Sequence, residues 1–253
     1  MLNMKKPPYT LVFEDQRLIA VNKVSGLSVG GDRWDEGQER LDRLLEKEGG
    51  VKVFTVHRID KDTSGLVLFA KDETAHRELS LAFEKRLVKK EYLAVVHGRP
   101  AWSENACDLP LVPDGDKMHR TIIDKYRGRS SLTRFRLLLS AGNYSLLEAR
   151  PETGRTHQIR VHLAALGCPV VCDPLYGRSA GRSVERGVFL SSFKRGWRGD
   201  SLEEKPLLKR LGLHASGLAF SVNGTELALR APLCRDLDAL ISQMKKNAAG
   251  RQF

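Results

Sequence analysis

The sequence is poor in cysteine, and its four cysteines are too dispersed for a disulfide framework. None belongs to a CxxC pair, so we expect reduced cysteines that pack inside a cytosolic protein. Cys168 and Cys172 stand near Asp173, but no second pair of candidate metal ligands lies close to them in the sequence. The cysteines therefore argue against a secreted, disulfide-stabilised protein and give little support to a metal centre.

Long apolar runs are also missing. No run reaches the roughly 20 residues that span a bilayer, and the amino terminus, MLNMKKPPYT, lacks the apolar core of a signal peptide. The sequence contains no clear basic amphipathic helix with an exposed apolar face, which binding to a membrane surface would require. We therefore expect a cytoplasmic protein without a membrane partner.

Acidic residues are in deficit, with 31 Asp and Glu against 42 Lys and Arg, and the formal net charge is +11. Such a balance indicates an anionic partner, most often nucleic acid. Basic residues are dense in the stretch 178–210, which predicts a basic insertion that contacts the phosphates of a nucleic acid. Its basic residues are Arg178, Arg182, Arg186, Lys194, Arg195, Arg198, Lys205, Lys209 and Arg210. Further candidates for phosphate contacts are Lys85, Arg86, Lys89, Lys90, Arg127 and Arg129.

The pattern of apolar residues predicts many strands in hairpins and a few helices. This arrangement favours an α+β fold around a mostly antiparallel sheet. The chain has 253 residues, no internal repeat and no Pro/Ser-rich linker, so we expect a single domain over residues 1–253 with a core of about 10–247. Residues 101–131 are polar and irregular, and Asn223-Gly224 predicts a tight hairpin turn.

Two helices are predicted next to the charged segments. One is capped by Asp72 and extends to about Leu87. The other begins at Thr156, which we expect to cap it, and it ends before Pro169. Its apolar stripe predicts that Arg160 lies on a different side from the buried residues.

Two polar clusters could carry chemistry. The first, VHRIDKDTSG at residues 56–65, lies between two apolar runs that are typical of strands. An acid in such a loop can simply be a solvated turn residue. The second, ETGRTHQIRVH, places Arg155 and Arg160 near the start of a helix. Each arginine alone would be interpreted as a surface charge, but a bidentate pair between Arg160 and Asp60 would hold the acid ionised.

The first cluster, extended to HRIDKDTSGLVLFAK, resembles the HRLDxxTSG signature of the RluA family of RNA pseudouridine synthases, with Ile59 where leucine is usual. Three further stretches are similar to the same family in the same order: KEYLAVVHG, ETGRTHQIRVHLAALGCPVVCDPLYG and LHASGLAF. The amino-terminal LVFEDQRLIAVNKVSGLSV is also similar, although Val24 replaces a common proline. The resemblance covers roughly residues 10–235.

The resemblance implies an isomerase that needs neither a metal nor a cofactor. Asp60 takes the position of the catalytic aspartate, whose carboxylate either attacks the ribose C1′ or removes a proton from C2′. Tyr92 matches the tyrosine that stacks on the target base and assists proton transfer at C5, although by itself it would be interpreted as a half-buried strand aromatic. Arg160 matches the family's arginine helix. The implied catalytic residues are therefore Asp60, Tyr92 and Arg160.

The resemblance also implies residues that contact the RNA or its bases. Arg58 resembles the arginine that enters the RNA helix in place of the flipped base. We expect His57 and Thr63 to shape the loop, and Arg155 to lie close to the RNA. His214 is expected to be structural and outside the site. The role of Lys23 stays open.

The implied partner is structured RNA, either ribosomal or transfer RNA, and we expect a monomer without an obligate protein partner. The catalytic pattern begins by about Thr10, so we expect no separate S4-type RNA-binding domain. Two alternatives remain. One is an RNA-binding or ribosome-assembly factor that has lost catalysis, and the other is a metal-dependent nucleic-acid hydrolase that uses His57, Asp60 and Asp62.

Overall fold

The structure is a computed structural model that describes residues 7–31, 37, 39–177, 187–194 and 203–249. Within those residues the chain forms two compact units. The first unit contains residues 7–90 and 214–232, and the second contains 91–213 and 233–249. The single catalytic domain expected over residues 1–253 stays a prediction.

Twelve strands, four α-helices and one 3-10 helix make up the described part of the chain. The strands are β1 Tyr9–Glu14, β2 Leu18–Lys23, β3 Phe54–Thr55, β4 Ser64–Ala70, β5 Lys89–His97, β6 Glu104–Cys107, β7 Leu111–Val112, β8 Ile122–Ile123, β9 Thr133–Ala141, β10 Tyr144–Pro151, β11 Leu213–Val222 and β12 Thr225–Arg230. The helices are α1 Leu41–Gly49, α2 Glu73–Glu84, α3 Gln158–Ala165, the 3-10 helix Leu190–Phe193 and α4 Arg235–Ala249.

The first unit is built on a mixed sheet in the order β1-β2-β4-β11, with β12 beside β11 and β3 beside β4. Its pairs are antiparallel except β4 with β11, which run parallel. Every residue of β4, a central strand of this sheet, is buried. Leu66 and Leu68 pack with Leu79 of α2 and Phe220 of β11.

The second unit is built on an antiparallel sheet in the order β5-β10-β9-β6. Alternate residues of a strand point to opposite faces, and β5 shows the consequence. Ala94 shares a core cluster with Leu163 of α3, while Val95 shares another with Leu240 of α4. The two helices therefore cover different faces of this sheet. The predicted α+β fold is confirmed.

Two predictions of local structure have different outcomes. The hairpin at Asn223-Gly224 is confirmed, since both residues have positive φ and Val222 pairs with Thr225. The extension of α2 to Leu87 is wrong. The helix ends at Glu84 because Arg86 adopts a φ of 59°, which leaves Leu87 64% exposed.

No helix within residues 7–31, 39–177, 187–194 and 203–249 combines the length and apolar character needed to cross a bilayer.

Candidate active site

The loop between β3 and β4, residues 56–63, carries four of the predicted site residues in the first unit. Within it, the backbone N–H of Thr63 donates to the carbonyl of Asp60 over 3.1 Å and closes a tight turn. Arg58 is exposed and Asp60 is half-buried. The loop therefore presents a cation to solvent and holds the acid at its edge.

A second segment of the first unit, residues 23–26, holds this loop in place through hydrogen bonds to its backbone. Lys23 is fully buried, and its Nζ donates to the carbonyl of Lys61 over 2.9 Å and to the carbonyl of the residue after Lys23 over 2.9 Å. Gly26 N–H also donates to the Lys61 carbonyl over 2.8 Å. A buried ammonium is tolerated only when it is hydrogen-bonded. Lys23, whose role the sequence left open, thus immobilises the backbone next to Asp60.

His57 joins the loop to its neighbours. Its Nε2 accepts the backbone N–H of Leu68 over 2.9 Å, which places the proton on Nδ1. Its ring stacks on the ring of Phe83, with 4.7 Å between the ring centres. Burial, together with the charge of Lys90, lowers the pKa of His57 to about 3. The imidazole is therefore neutral at physiological pH. His57 shapes the loop as expected, while its contact with RNA stays a prediction.

The depressed pKa of His57 makes stability depend on pH. Between pH 6.5, the ordinary pKa, and about 3, the unfolded chain binds a proton that the folded chain excludes. Stability should therefore fall as the pH drops through this window, by at most about 1.4 kcal/mol per pH unit. In His57→Gln, whose amide does not titrate, urea unfolding between pH 7 and pH 4 should show a flatter decline.

Leu81→Gln is the matched control, because Leu81 is exposed in α2 and its substitution also introduces a glutamine but removes no titratable group. Its decline with pH should follow that of the parent protein. A His57→Gln curve parallel to the parent curve would contradict the burial of a neutral imidazole.

Thr63 and Gly65 complete the turn into β4. Thr63 is 1% exposed, and its hydroxyl has no hydrogen-bond partner within the described ranges. Gly65 has a φ of 114°, and a Cβ there would lie 2.3 Å from the carbonyl oxygen of Ala215, so only glycine fits. Ser64 Oγ lies 2.9 Å from Nδ1 of His214, which is fully buried. His214 is therefore packed inside the first unit, and its purely structural role stays a prediction.

Helix α3 of the second unit begins differently from the prediction. Thr156 does not cap it. His157 adopts a left-handed conformation with φ of 54°, and the helix begins at Gln158. The Gln158 side chain bonds to two backbone groups instead. Its Oε1 accepts the N–H of Arg155 over 3.0 Å, and its Nε2 donates to the Leu132 carbonyl over 3.0 Å.

Arg160 is buried, contrary to the prediction that it lies on another side from the core residues of α3. Its Nε and Nη2 donate to the two carboxylate oxygens of Asp173, each over 2.8 Å, and the side chains are 2% and 0% exposed. Burial would raise the pKa of Asp173, but the Arg160 guanidinium and the backbone N–H groups of Leu175 and Tyr176 hold it below its usual range. Both partners are therefore charged.

Asp173 is the residue that sequence reasoning missed. The sequence places it beside Cys168 and Cys172 and within a stretch that resembles the family, but assigns it no role; the signal that could have assigned one is its place at the head of DPLYG. No group of metal-binding side chains occurs in the part of the chain that the structure describes. The pairing of Arg160 with Asp60 stays a prediction.

The ring of Tyr176 packs against the Arg160 guanidinium. The Arg160 Cζ lies 5.1 Å from the centre of the Tyr176 ring, within the range of a cation–π contact. The Tyr176 hydroxyl accepts the backbone N–H of Thr121 over 2.9 Å and lies 2.9 Å from Nδ1 of His157. We call Arg160, Asp173, Tyr176 and His157 the arginine cluster.

The remaining predicted residues of this unit are Tyr92 and Arg155. Tyr92 lies in β5 opposite Ala149 of β10 and is half-buried against the core. Arg155 is partly exposed, and its Nε donates to the Ser130 carbonyl over 3.2 Å. The catalytic roles of Asp60, Tyr92 and Arg160 and the RNA contact of Arg155 stay predictions.

The basic candidates differ in exposure. Lys85, Arg86 and Lys89 are exposed around the end of α2. Lys90 is half-buried, and burial, reinforced by the charge of Arg86, lowers its pKa to about 8. In the insertion, Arg210 forks onto Asp236 with distances of 2.7 and 2.8 Å. Five of its basic residues lie outside the described residues: Arg178, Arg182, Arg186, Arg195 and Arg198.

Comparison with known proteins identifies the family. A family model described as RNA pseudouridylate synthase matches residues 17–165. The chain is 32% identical to ribosomal large subunit pseudouridine synthase D of Zymomonas mobilis, over 94% of this chain and 73% of that protein. It is 39% identical to the dual-specificity RNA pseudouridine synthase RluA of Vibrio cholerae, over 68% of this chain and 70% of that protein.

The structure is also similar to human RNA pseudouridylate synthase domain containing 4. The TM-score is 0.71 at 24% identity, with 93% of this chain and 92% of that chain covered, which shows the shared fold. The chain belongs to the RNA pseudouridylate synthase family, as its RluA-like motifs predicted. It is therefore an isomerase that converts uridine to pseudouridine in RNA.

Proposed function

We propose that the protein isomerises specific uridines of structured ribosomal or transfer RNA, with Asp60 as the catalytic carboxylate. The braced loop carries this proposal: Lys23 and Gly26 fix the Lys61 carbonyl beside Asp60. A carboxylate held on such a loop has little freedom to turn away from its target. Pre-organisation of this kind contributes to catalysis, because the geometry of attack is set before the reaction.

Asp60 acts by one of two routes. It either attacks the ribose C1′ and forms a covalent intermediate, or it removes a proton from C2′. In both, the bond between C1′ and N1 of uracil breaks, the base turns, its C5 bonds to C1′, the C5 proton is lost and N1 gains a proton. The bond of C5 to C1′ displaces the Asp60 carboxylate in the first route, and in the second route C2′ regains its proton. Both routes need an ionised carboxylate. They conserve all atoms of the nucleotide, so no cofactor enters.

Arg160 is the proposed partner of Asp60. A guanidinium has five N–H donors in one plane, and Asp173 engages one on Nε and one on Nη2. The chemistry of the group therefore allows a second carboxylate on the Nη edge. An arginine so rigidly held by Asp173 and Tyr176 would direct the Asp60 oxygens and keep them ionised. Tyr92 is proposed to stack on the detached uracil and to assist the loss of the C5 proton.

The target base has to leave its stack to be turned over. Extrusion costs a few kcal/mol, and stacking on an aromatic side chain returns about 1–3 kcal/mol per base. The exposed Arg58 is proposed to fill the space that the base leaves, next to His57 and Thr63. Phosphate contacts from Lys85, Arg86 and Lys89, and from Arg155, would supply further affinity.

The kind of RNA is proposed from the named relatives. The Zymomonas protein is named for the large ribosomal subunit, and the Vibrio protein is named as having dual specificity. We propose ribosomal or transfer RNA for this chain, acted on in the cytoplasm by a monomer.

An assay of the purified protein on defined RNA tests this function. Transcripts of large-subunit ribosomal RNA domains and of transfer RNAs should gain pseudouridine at one or a few positions, detected by carbodiimide labelling and primer extension. The reaction should proceed in the presence of a chelator. RNA binding without any pseudouridine would favour the inactive binding factor, and strand cleavage that the chelator stops would favour the hydrolase.

A further inference from the structure

Two short turns of the second unit repeat one sequence pattern. The first contains DKMHR at residues 116–120, and the second contains DKYRGR at residues 124–129. Each begins with Asp-Lys, continues with a large side chain and then a basic residue. The turns flank β8, which pairs with β7 in a small antiparallel sheet separate from the main one. We call residues 111–129 the two-turn arm.

The aspartate fixes the second turn. Asp124 Oδ1 accepts the backbone N–H of Tyr126 over 2.9 Å and that of Arg127 over 3.0 Å, and its Oδ2 accepts Nε of Arg127 over 2.7 Å. These bonds lower the pKa of Asp124 to about 2. Gly128 N–H donates to the Asp124 carbonyl over 2.9 Å, and a Cβ on Gly128 would lie 2.3 Å from that oxygen. The turn is therefore closed and rigid.

The first turn is fixed in the same way. Asp116 Oδ1 accepts the backbone N–H groups of Met118 and Arg120, each over 3.0 Å, and its Oδ2 accepts Nε of Arg120 over 2.7 Å. In both turns the aspartate neutralises one arginine, and the lysine that directly follows the aspartate is exposed. The aspartate of each turn therefore accepts two backbone N–H groups and one arginine, although the second backbone donor is four residues on in the first turn and three residues on in the second.

Both turns expose a large side chain. Tyr126 is 99% exposed and Met118 is 56% exposed. Lys125, Arg127 and Arg129 are exposed around the tyrosine. An aromatic ring that a hydrogen-bonded turn presents between cations can stack on one face of a nucleobase while the cations contact the neighbouring phosphates. A contact with the core of a protein partner would not be expected to carry this many charges, because the buried centre of protein interfaces is depleted of them.

The arm is attached to the arginine cluster. Thr121 N–H donates to the Tyr176 hydroxyl over 2.9 Å, and Nη1 of Arg120 donates to the Leu175 carbonyl over 3.3 Å. At the base of the arm, Arg155 donates to the carbonyl of Ser130. The arm thus projects from the same framework that holds Arg160.

The geometry points to the two-turn arm as a stacking platform for substrate RNA. We assign to Tyr126 the role of stacking on an unpaired base outside the catalytic pocket, with Lys125 and Arg129 on the adjacent phosphates. This inference rests on the proposed function, since it names the surface that selects the RNA. It predicts that the substrate presents an unpaired nucleotide near the target uridine.

Substitution of Tyr126 tests the inference by binding alone. Tyr126→Ala should weaken binding of a mixed-sequence, 12-nucleotide single-stranded RNA by between about 5-fold and 150-fold at fixed salt, the range expected for one stacked base. Tyr126→Phe keeps the ring and should stay within about twofold of the parent protein. A 12-base-pair RNA duplex, whose bases are already stacked, should lose little affinity in either variant.

Leu138→Ala is the matched control, because Leu138 is also exposed, at 40%, and belongs to β9 of the same unit. It should bind both RNAs like the parent protein. Since Tyr126 is 99% exposed, its variants should keep the melting temperature of the parent protein. Tyr126→Trp adds a direct signal, because its fluorescence should be quenched when the single strand is added.

Unchanged single-strand affinity in Tyr126→Ala would overturn the inference and leave Tyr126 for another partner, such as a protein. Equal losses in Tyr126→Ala and Tyr126→Phe would overturn it too, because the hydroxyl would then be responsible. A parent protein that binds RNA through Tyr126 but forms no pseudouridine would keep this inference and refute the proposed function. A parent that forms pseudouridine with an affinity independent of Tyr126 would do the reverse.

Discussion

Asp60→Asn should abolish pseudouridine formation while the protein still folds and binds RNA. The amide has nearly the size of the carboxylate but can neither attack C1′ as an anion nor accept a proton from C2′. General acid–base catalysis contributes about 10²- to 10⁴-fold, so the proton route predicts at least this loss. A nucleophilic route predicts a larger one. Single-turnover measurements with saturating enzyme separate this loss from any change in affinity.

Asp62→Asn is the matched control for this experiment. Asp62 lies in the same loop, and the substitution removes the same charge two residues away. Its turnover should stay near that of the parent protein. A loss in Asp60→Asn of less than about 10²-fold would remove Asp60 from its role, and an equal loss in both variants would indicate that the charge of the loop matters more than the position of the acid.

The sequence predicts the loop of residues 56–63 well, because the residues that form it are close together in the sequence. His57, Asp60 and Thr63 lie within seven residues, between two apolar runs that become β3 and β4. The short-range pattern of apolar and polar residues decides such a turn. Lys23 shows the limit of such local prediction, because its hydrogen bond to the Lys61 carbonyl joins residues 38 apart in the chain. Nothing in the spacing of the sequence indicates that contact.

The start of α3 shows a second reason for failure. Thr156 is a favourable capping residue, yet the helix begins at Gln158 after the left-handed His157. The side chain of Gln158 bonds to the backbone carbonyl of Leu132, just before β9, and to the backbone N–H of Arg155. Tertiary hydrogen bonds therefore outweigh the local capping preference. The family resemblance predicts Arg160 as a site residue, but it does not predict the hydrogen bonds to Asp173 that hold its guanidinium.

Asp173→Asn should reduce both stability and turnover. The substitution leaves the buried Arg160 guanidinium without its counter-ion and turns an amide N–H₂ toward its donors. Removing one partner of a buried pair costs about 3–5 kcal/mol, which in a chain of this size corresponds to a drop of about 6–20 °C in melting temperature. Turnover of the folded fraction should fall about 10²-fold, the effect of misplacing a catalytic group by about 1 Å.

A double variant separates stability from catalysis. Arg160→Met with Asp173→Leu replaces the whole ion pair by apolar side chains, which often restores or raises stability. We expect a melting temperature near that of the parent protein but no turnover, because no guanidinium remains to hold Asp60. Arg160→Lys, which keeps the charge but loses the planar fork, should fold and show turnover lowered by orders of magnitude with RNA binding largely kept. If the double variant is both stable and active, or if Arg160→Lys turns over normally, Arg160 is a structural residue alone and its proposed action on Asp60 is wrong.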